Sequence, residues 1–293
     1  MGKSSYVDEN FNILDGEAAR DAVRRNSDAR YLTEDRGVVK IPLDRWETAQ
    51  KYEQKGWMEK WADADSDRNH EHAHEFDAYK PLSGMVFEHA IELGCGPFTN
   101  LRFIARRAGI RRCTLLDPLI ESYLGHRKCA YTRSCLRARG ELESRLESRR
   151  VPRWLSRLAT PTVRRLFCRR LPIAELIAKP IEQMPTEGRR YDQIVLINVL
   201  EHCYDAELIF DQIRKIAGPK AVFIFHDKYH SHEQIGQVLK ETLYDAGHPL
   251  FVDRKVIDAF LDGSCDCLYR KLVRKPHPVL SFCDGLYFIG RFR

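Results

Sequence analysis

Ala90-Ile-Glu-Leu-Gly-Cys-Gly-Pro-Phe-Thr-Asn100 reads as a buried strand that runs into a glycine turn and opens a helix. Ala90 and Ile91 end an apolar run that starts near Met85, and Gly94 and Gly96 give the backbone room for a tight turn and a close approach. Thr99 is placed to cap a helix through Leu101, Ile104 and Ala105. A strand, a glycine turn and a helix make a nucleotide-type pocket, although one such turn also occurs as a plain strand-to-helix connection. The strands and acids downstream of the turn decide between the two.

Cys113-Thr-Leu-Leu-Asp117 is a second apolar strand that ends in a carboxylate. Asp117 lies 25 residues after Glu92, where a second parallel strand delivers an acid to a ribose diol. Further on, Tyr191-Asp-Gln-Ile-Val-Leu-Ile-Asn-Val-Leu-Glu-His202 is a strand leading into a loop, and Ala221-Val-Phe-Ile-Phe-His-Asp227 is another. In this combination the chain resembles the class I S-adenosylmethionine-dependent methyltransferase superfamily, in its small-molecule (type 11-like) branch. Glu92-Leu-Gly-Cys-Gly resembles the family's first motif, Asp117 its ribose-binding acid, and Asn198-Val-Leu-Glu-His202 the motif after its fourth strand. A dinucleotide enzyme would want a third glycine near Phe98, whereas the methyl donor has no pyrophosphate to cradle.

The resemblance spans residues 85–293 and implies an α/β, Rossmann-like fold with a seven-stranded, mostly parallel sheet. Gly285-Leu-Tyr-Phe-Ile-Gly-Arg-Phe-Arg293 resembles its antiparallel last strand. Residues 1–84 are then an N-terminal helical extension with lid helices, and 126–170 a basic helical insert in the core. Implied donor-binding residues are Glu92, Gly94, Cys95, Gly96, Asp117, Ile181, Glu182 and Asn198. Pro180 stands where many relatives carry an acid near the adenine, which leaves the backbone of Ile181 for that contact.

The chain has 293 residues, enough for one large α/β domain with additions, and 43% of them are hydrophobic. No apolar run approaches the ~20 residues of a membrane span. Met1-Gly-Lys-Ser-Ser-Tyr6 lacks a secretory apolar segment, and nine cysteines without framework spacing suit reduced thiols, so a cytoplasmic location is expected. The net charge is +6, yet residues 126–170 alone hold fourteen Lys and Arg against three Glu, so the remainder is net negative. Trp154, Leu155, Leu158, Leu166 and Phe167 alternate with arginines at roughly helical spacing. Three readings stay open for this insert: a helix packed on the core, an anchor on an anionic membrane surface at the inner face of a membrane, and a grip on nucleic acid.

Trp46, Ala49, Tyr52, Trp57 and Trp61 form a mostly aromatic helical face, expected to be packing. His70-Glu-His-Ala-His74 offers metal-type ligands at i and i+4, though a solvated helix face is the expected reading. Phe76, Tyr79 and Leu82 are lid candidates by resemblance.

For chemistry, His202, His226 and His248 are the candidate general bases, because an imidazole titrates near neutrality; His226, at a strand end, is preferred. Some relatives hold a divalent cation with a Glu-His pair and a further histidine, which implies Glu201, His202 and His226 here. The expected activity is transfer of a methyl group from S-adenosyl-L-methionine to a hydroxyl of a sugar or small metabolite, lipid-linked or free. The alternatives are an RNA methyltransferase that grips its substrate through the insert, or a silent donor-binding protein.

Overall fold

The computed structural model describes residues 27–61, 69–126, 128–138, 169–242, 245–277 and 279–293. Its centre is an eight-stranded sheet: β1 (Ala90–Leu93), β2 (Cys113–Leu116), β3 (Cys135–Ala138), β4 (Arg169–Ile177), β5 (Tyr191–Ile197), β6 (Ala217–Lys228), β7 (Cys265–His277) and β8 (Ser281–Phe292). The order is β7-β8-β6-β5-β1-β2-β4-β3. Strands β4, β2, β1, β5 and β6 run parallel, with Ile91 level with Thr114 on one side and Ile194 on the other. β8 lies antiparallel between β6 and β7.

The parallel strands are apolar on both faces, as a sheet covered on both sides requires. Ile194, Leu196, Phe223 and Phe225 point into one core with α5 (Ala206–Ile216) and α7 (Arg254–Ser264). Val195, Ile197, Val222 and Ile224 point into the other, which holds Phe76, Tyr79 and Phe103. The remaining helices are α1 (Leu43–Gly56), α2 (Asn69–Glu75), α3 (Leu101–Ile104), α4 (Ile120–Leu124) and α6 (His232–Thr242).

Three expectations change. The sheet has eight strands rather than seven, because β3 adds an antiparallel edge to β4. Within the basic insert, Cys135–Ala138 pairs with the start of β4 as a β-ribbon; 127 and 139–168, with the arginine-interleaved apolar residues, lie outside the described residues. Phe76, Tyr79 and Leu82 are fully buried beneath the sheet, so they are core and not lid. Among the described residues no helix is long and apolar enough to cross a membrane.

The N-terminal segment is tied into the core rather than standing apart. Gly37–Val38 pairs with Phe251–Val252, and buried Arg45 of α1 binds both carboxylate oxygens of Asp28 and the carbonyls of Asp245 and Ala246. These contacts fix α1 against the loop that precedes α7. At the start of α7, Asp253 accepts the Lys255 N–H at 2.7 Å as the N-cap. Asp253→Ala is expected to lower stability by about 1 kcal/mol, read as a shift in the urea midpoint, as the loss of one cap requires.

Candidate active site

At the carboxyl ends of β1, β2 and β5 lies a cavity of about 430 Å³. This is where open parallel sheets bind ligands. Its floor comes from the turn after β1. Gly94 has φ of +68°, and a Cβ there would meet the Val199 side chain at 2.4 Å, so this position demands glycine. Gly94→Ala is therefore expected to push Val199, itself a cavity wall, and to weaken donor binding about tenfold, a cost of order 1 kcal/mol.

Glu92 does not reach this cavity. Its buried carboxylate accepts hydrogen bonds from the Thr99 hydroxyl, the Asn100 backbone and side-chain N–H groups, and the Leu101 N–H. Burial pushes its pKa up and these donors oppose the rise. Glu92 thus holds the glycine turn and caps α3 rather than presenting charge to a ligand. Cys95 is likewise turned away, with its sulfur 3.7 Å from the Tyr131 hydroxyl, and it borders a smaller neighbouring pocket.

Asp117 lines the cavity. Its two oxygens accept the Gly96 N–H at 3.0 Å and the Leu119 N–H at 2.9 Å, which ties the ends of β1 and β2 together. Burial raises its pKa to about 6 despite these bonds. Ile181 and Glu182 also line the cavity, but one Glu182 oxygen accepts the Tyr204 and Asp205 N–H groups. Asn198 borders both pockets at φ of +57°, a left-handed position at the end of β5.

The opposite wall is made by α1 and by two histidines. Trp46, Tyr52 and Trp57, expected to be packing residues, line the cavity, and the Trp46 indole N–H and Gln50 amide both donate to the His202 carbonyl, at 3.0 and 3.1 Å. The helical spacing of these aromatics is the signal for a shared face; that the face closes over a ligand site depends on tertiary packing. Glu53, which belongs to no motif, stands beside His202 with Oε1 3.6 Å from Nδ1.

His202 donates from Nδ1 to the Gly247 carbonyl at 3.0 Å, which fixes its tautomer and leaves a lone pair on Nε2. Burial lowers its pKa, so it is neutral near pH 7. His248, 4.7 Å away between ring centroids, differs: Nδ1 lies 3.0 Å from both Asp245 oxygens. Burial works against its charge, but Asp245 and Glu201 outweigh it and raise the pKa to about 9. Behind both rings, Glu201 Oε1 is 3.8 Å from each Nε2, while its other oxygen meets Lys228 Nζ at 2.5 Å.

His226 is the main correction. It belongs to the face of β6 opposite Phe223, Phe225 and Asp227, stacked on Tyr287 at 3.9 Å, with Nδ1 donating to the Leu286 carbonyl. Strand alternation therefore separates it from Glu201 and His202, and the three do not form a cation site. Among the described residues, the group that gathers metal-type ligand atoms, within 4.8 Å of one another, is Glu53, His202 and His248. Two imidazoles and a carboxylate suit Zn²⁺ or Mn²⁺, but His248 would first have to give up the proton that Asp245 holds on it. The His70 to His74 pair is split: His70 packs on Phe103, and exposed His74 pairs with Glu75.

No family model matches the sequence, and no curated protein does. Solved structures do. One is the N-methyltransferase NodS from Bradyrhizobium japonicum in complex with S-adenosyl-l-homocysteine, at 15% identity and TM-score 0.49, covering 85% of this chain and 98% of that one. A second is Burkholderia thailandensis 1,6-didemethyltoxoflavin-N1-methyltransferase, at 14% and 0.45, with 89% and 97% covered. A third is the YcgJ protein from Bacillus subtilis, at 9% and 0.47, with 75% and 98% covered. With five parallel strands around β1, an antiparallel β8 inserted between β6 and β7, and the glycine turn facing Asp117, the chain has a Rossmann-like, mostly parallel α/β fold.

Proposed function

We propose that the chain is an S-adenosylmethionine-dependent methyltransferase that methylates a hydroxyl of a small molecule. The observation that supports this most directly is one cavity that unites the Gly94 turn, Asp117, Ile181 and Asn198 with a neutral imidazole, His202. The donor brings the reactive sulfonium, so the protein's task is to hold two reactants in line and to receive one proton. Asp117 takes the ribose hydroxyls, the Ile181 backbone and Pro118 the adenine, and Gly94, Gly96 and Asn198 the methionine end.

In the transfer, the acceptor oxygen forms a bond to the methyl carbon as the carbon–sulfur bond breaks and its electron pair stays on sulfur. The hydroxyl proton goes to Nε2 of His202, where the Glu201 carboxylate stabilises the new positive charge. His248, already protonated, supplies fixed positive charge near the reacting oxygen. Glu53, His202 and His248 would be the residues to hold a divalent cation, and no step requires one. Contact with an anionic membrane surface through the arginine-rich insert is part of the proposal on its sequence pattern alone. An RNA acceptor is the weaker reading, because four carboxylates line the cavity and would repel phosphate.

Calorimetric titration with S-adenosylmethionine and S-adenosylhomocysteine tests the reading. Both are expected to bind one site per chain; a folded protein that binds neither would overturn it.

A further inference from the structure

Once the donor contacts are assigned, the end of the cavity beside α1 is left over, and its chemistry is one-sided. Trp46, Tyr52 and Trp57 give it flat apolar walls, and among the described lining residues there is no Lys or Arg. Of the four carboxylates, Asp117 and Glu182 accept backbone N–H groups in the donor half. Asp245 is neutralised by His248, whose Nδ1 sits 3.0 Å from both of its oxygens. Glu53 is the remainder.

The Glu53 side chain is only 10% exposed, and no Lys or Arg pairs with it among the described residues. Its nearest basic group, the His202 ring 3.6 Å away, already donates its Nδ1 proton to the Gly247 carbonyl, and the His248 ring, within 4.8 Å, is paired with Asp245. A Cβ on Gly247 would come within 2.6 Å of Glu53 Oε1, so the loop and the carboxylate are packed closely and the carboxylate is held in place. A buried carboxylate without a compensating cation is costly, and a cationic ligand group that enters the site removes that cost. Aromatic faces beside it attract the same kind of group.

We infer that the acceptor is a compact cationic amine: a flat molecule whose protonated amino group is bound by Glu53 and whose ring lies among Trp46, Tyr52 and Trp57. Carboxylate- or phosphate-bearing acceptors are rejected by the same charge, so Glu53 sets specificity by repulsion as well as attraction. The inference rests on the donor-site reading, because it is that reading which assigns the other half of the cavity.

The test uses the full chain saturated with S-adenosylhomocysteine, in EDTA, titrated calorimetrically with tryptamine, tyramine and phenethylamine. Indoleacetate, hydroxyphenylacetate and phenylacetate serve as their anionic counterparts. At least one amine is expected to bind about tenfold or more tightly than its counterpart, the worth of one charge-assisted contact, and Glu53→Gln is expected to erase that preference. The inference is overturned if no amine is preferred, or if the preference survives Glu53→Gln. It is also overturned if amine binding needs Zn²⁺ or Mn²⁺ in place of EDTA, since Glu53 would then belong to the ion. Failure of S-adenosylhomocysteine to bind at all would strike the donor reading instead, so the two failures are distinguishable.

Discussion

Asp117→Ala is expected to weaken binding of S-adenosylmethionine and S-adenosylhomocysteine by about 100-fold or more. Two effects combine. The carboxylate would no longer accept the two ribose hydroxyls, and charge-assisted hydrogen bonds of this kind contribute about 1.5–3 kcal/mol each. The Gly96 and Leu119 N–H groups would also lose their acceptor, which loosens the turn that forms the cavity floor. Calorimetry on the folded variant is the check, and unchanged affinity would remove the ribose assignment.

The same carboxylate sets a pH dependence with opposite signs for binding and stability. Only the ionised form accepts both hydroxyls. With the pKa of Asp117 raised by burial to about 6, donor affinity should fall about tenfold for each pH unit below about 6. Stability runs the other way, because the folded state holds this proton more tightly than the unfolded chain. The stability due to this group is present below about pH 4 and is lost as pH rises towards about 6. Asp117→Asn should abolish both dependences while it keeps an oxygen for one of the two backbone donors.

Strand alternation and turn chemistry made the fold, and the residues that line the cavity at its strand ends, legible in the sequence. Glycines at 94 and 96, an acid 25 residues after Glu92 and apolar runs at 191–197 and 221–226 are local patterns, and local patterns survive without coordinates. Three kinds of feature were not legible. Glu92 stands in the motif like a ligand-binding acid, yet its oxygens are taken up by Thr99, Asn100 and Leu101, and only the positions of those donors reveal it. His226 lies within β6 and His202 in the loop after β5, and which face a strand side chain takes depends on register: one residue separates the buried stack on Tyr287 from the opposite face, where Asp227 accepts the Leu200 N–H. Glu53, Trp46 and Trp57 come from a helix that precedes the first motif by about forty residues, and nothing local links them to it. The link is tertiary: Arg45 anchors α1 to the Asp245 loop, and Trp46 and Gln50 anchor it to His202.

His202→Ala is expected to lower kcat by between about 100-fold and 10,000-fold, the range for loss of a positioned general base, with donor affinity changed by less than about threefold. The argument starts from the tautomer. Because Nδ1–H is committed to the Gly247 carbonyl, Nε2 is the atom that receives the proton, and it must be unprotonated at the outset. Burial lowers the His202 pKa; Glu53 and Glu201 pull it back up, while the cations of His248 and Lys228 push with burial. The neutral form therefore dominates from below pH 6.5 upward, and kcat should fall only as His202 is protonated on the acid side. His248 sets the alkaline limb: its proton is held by Asp245 and Glu201 until about pH 9, so the positive charge beside the reacting oxygen is present through neutrality and lost above that value. The profile should thus be a plateau that begins on the acid side of the ordinary imidazole range and ends near pH 9. His202→Ala should lose the acid limb and recover part of its rate in added imidazole, because the truncation leaves a space lined by the same carbonyl and carboxylate. A variant with kcat within about threefold of the parent, or an acid limb that persists without His202, would assign the base to another group, with Glu53 next in line by distance.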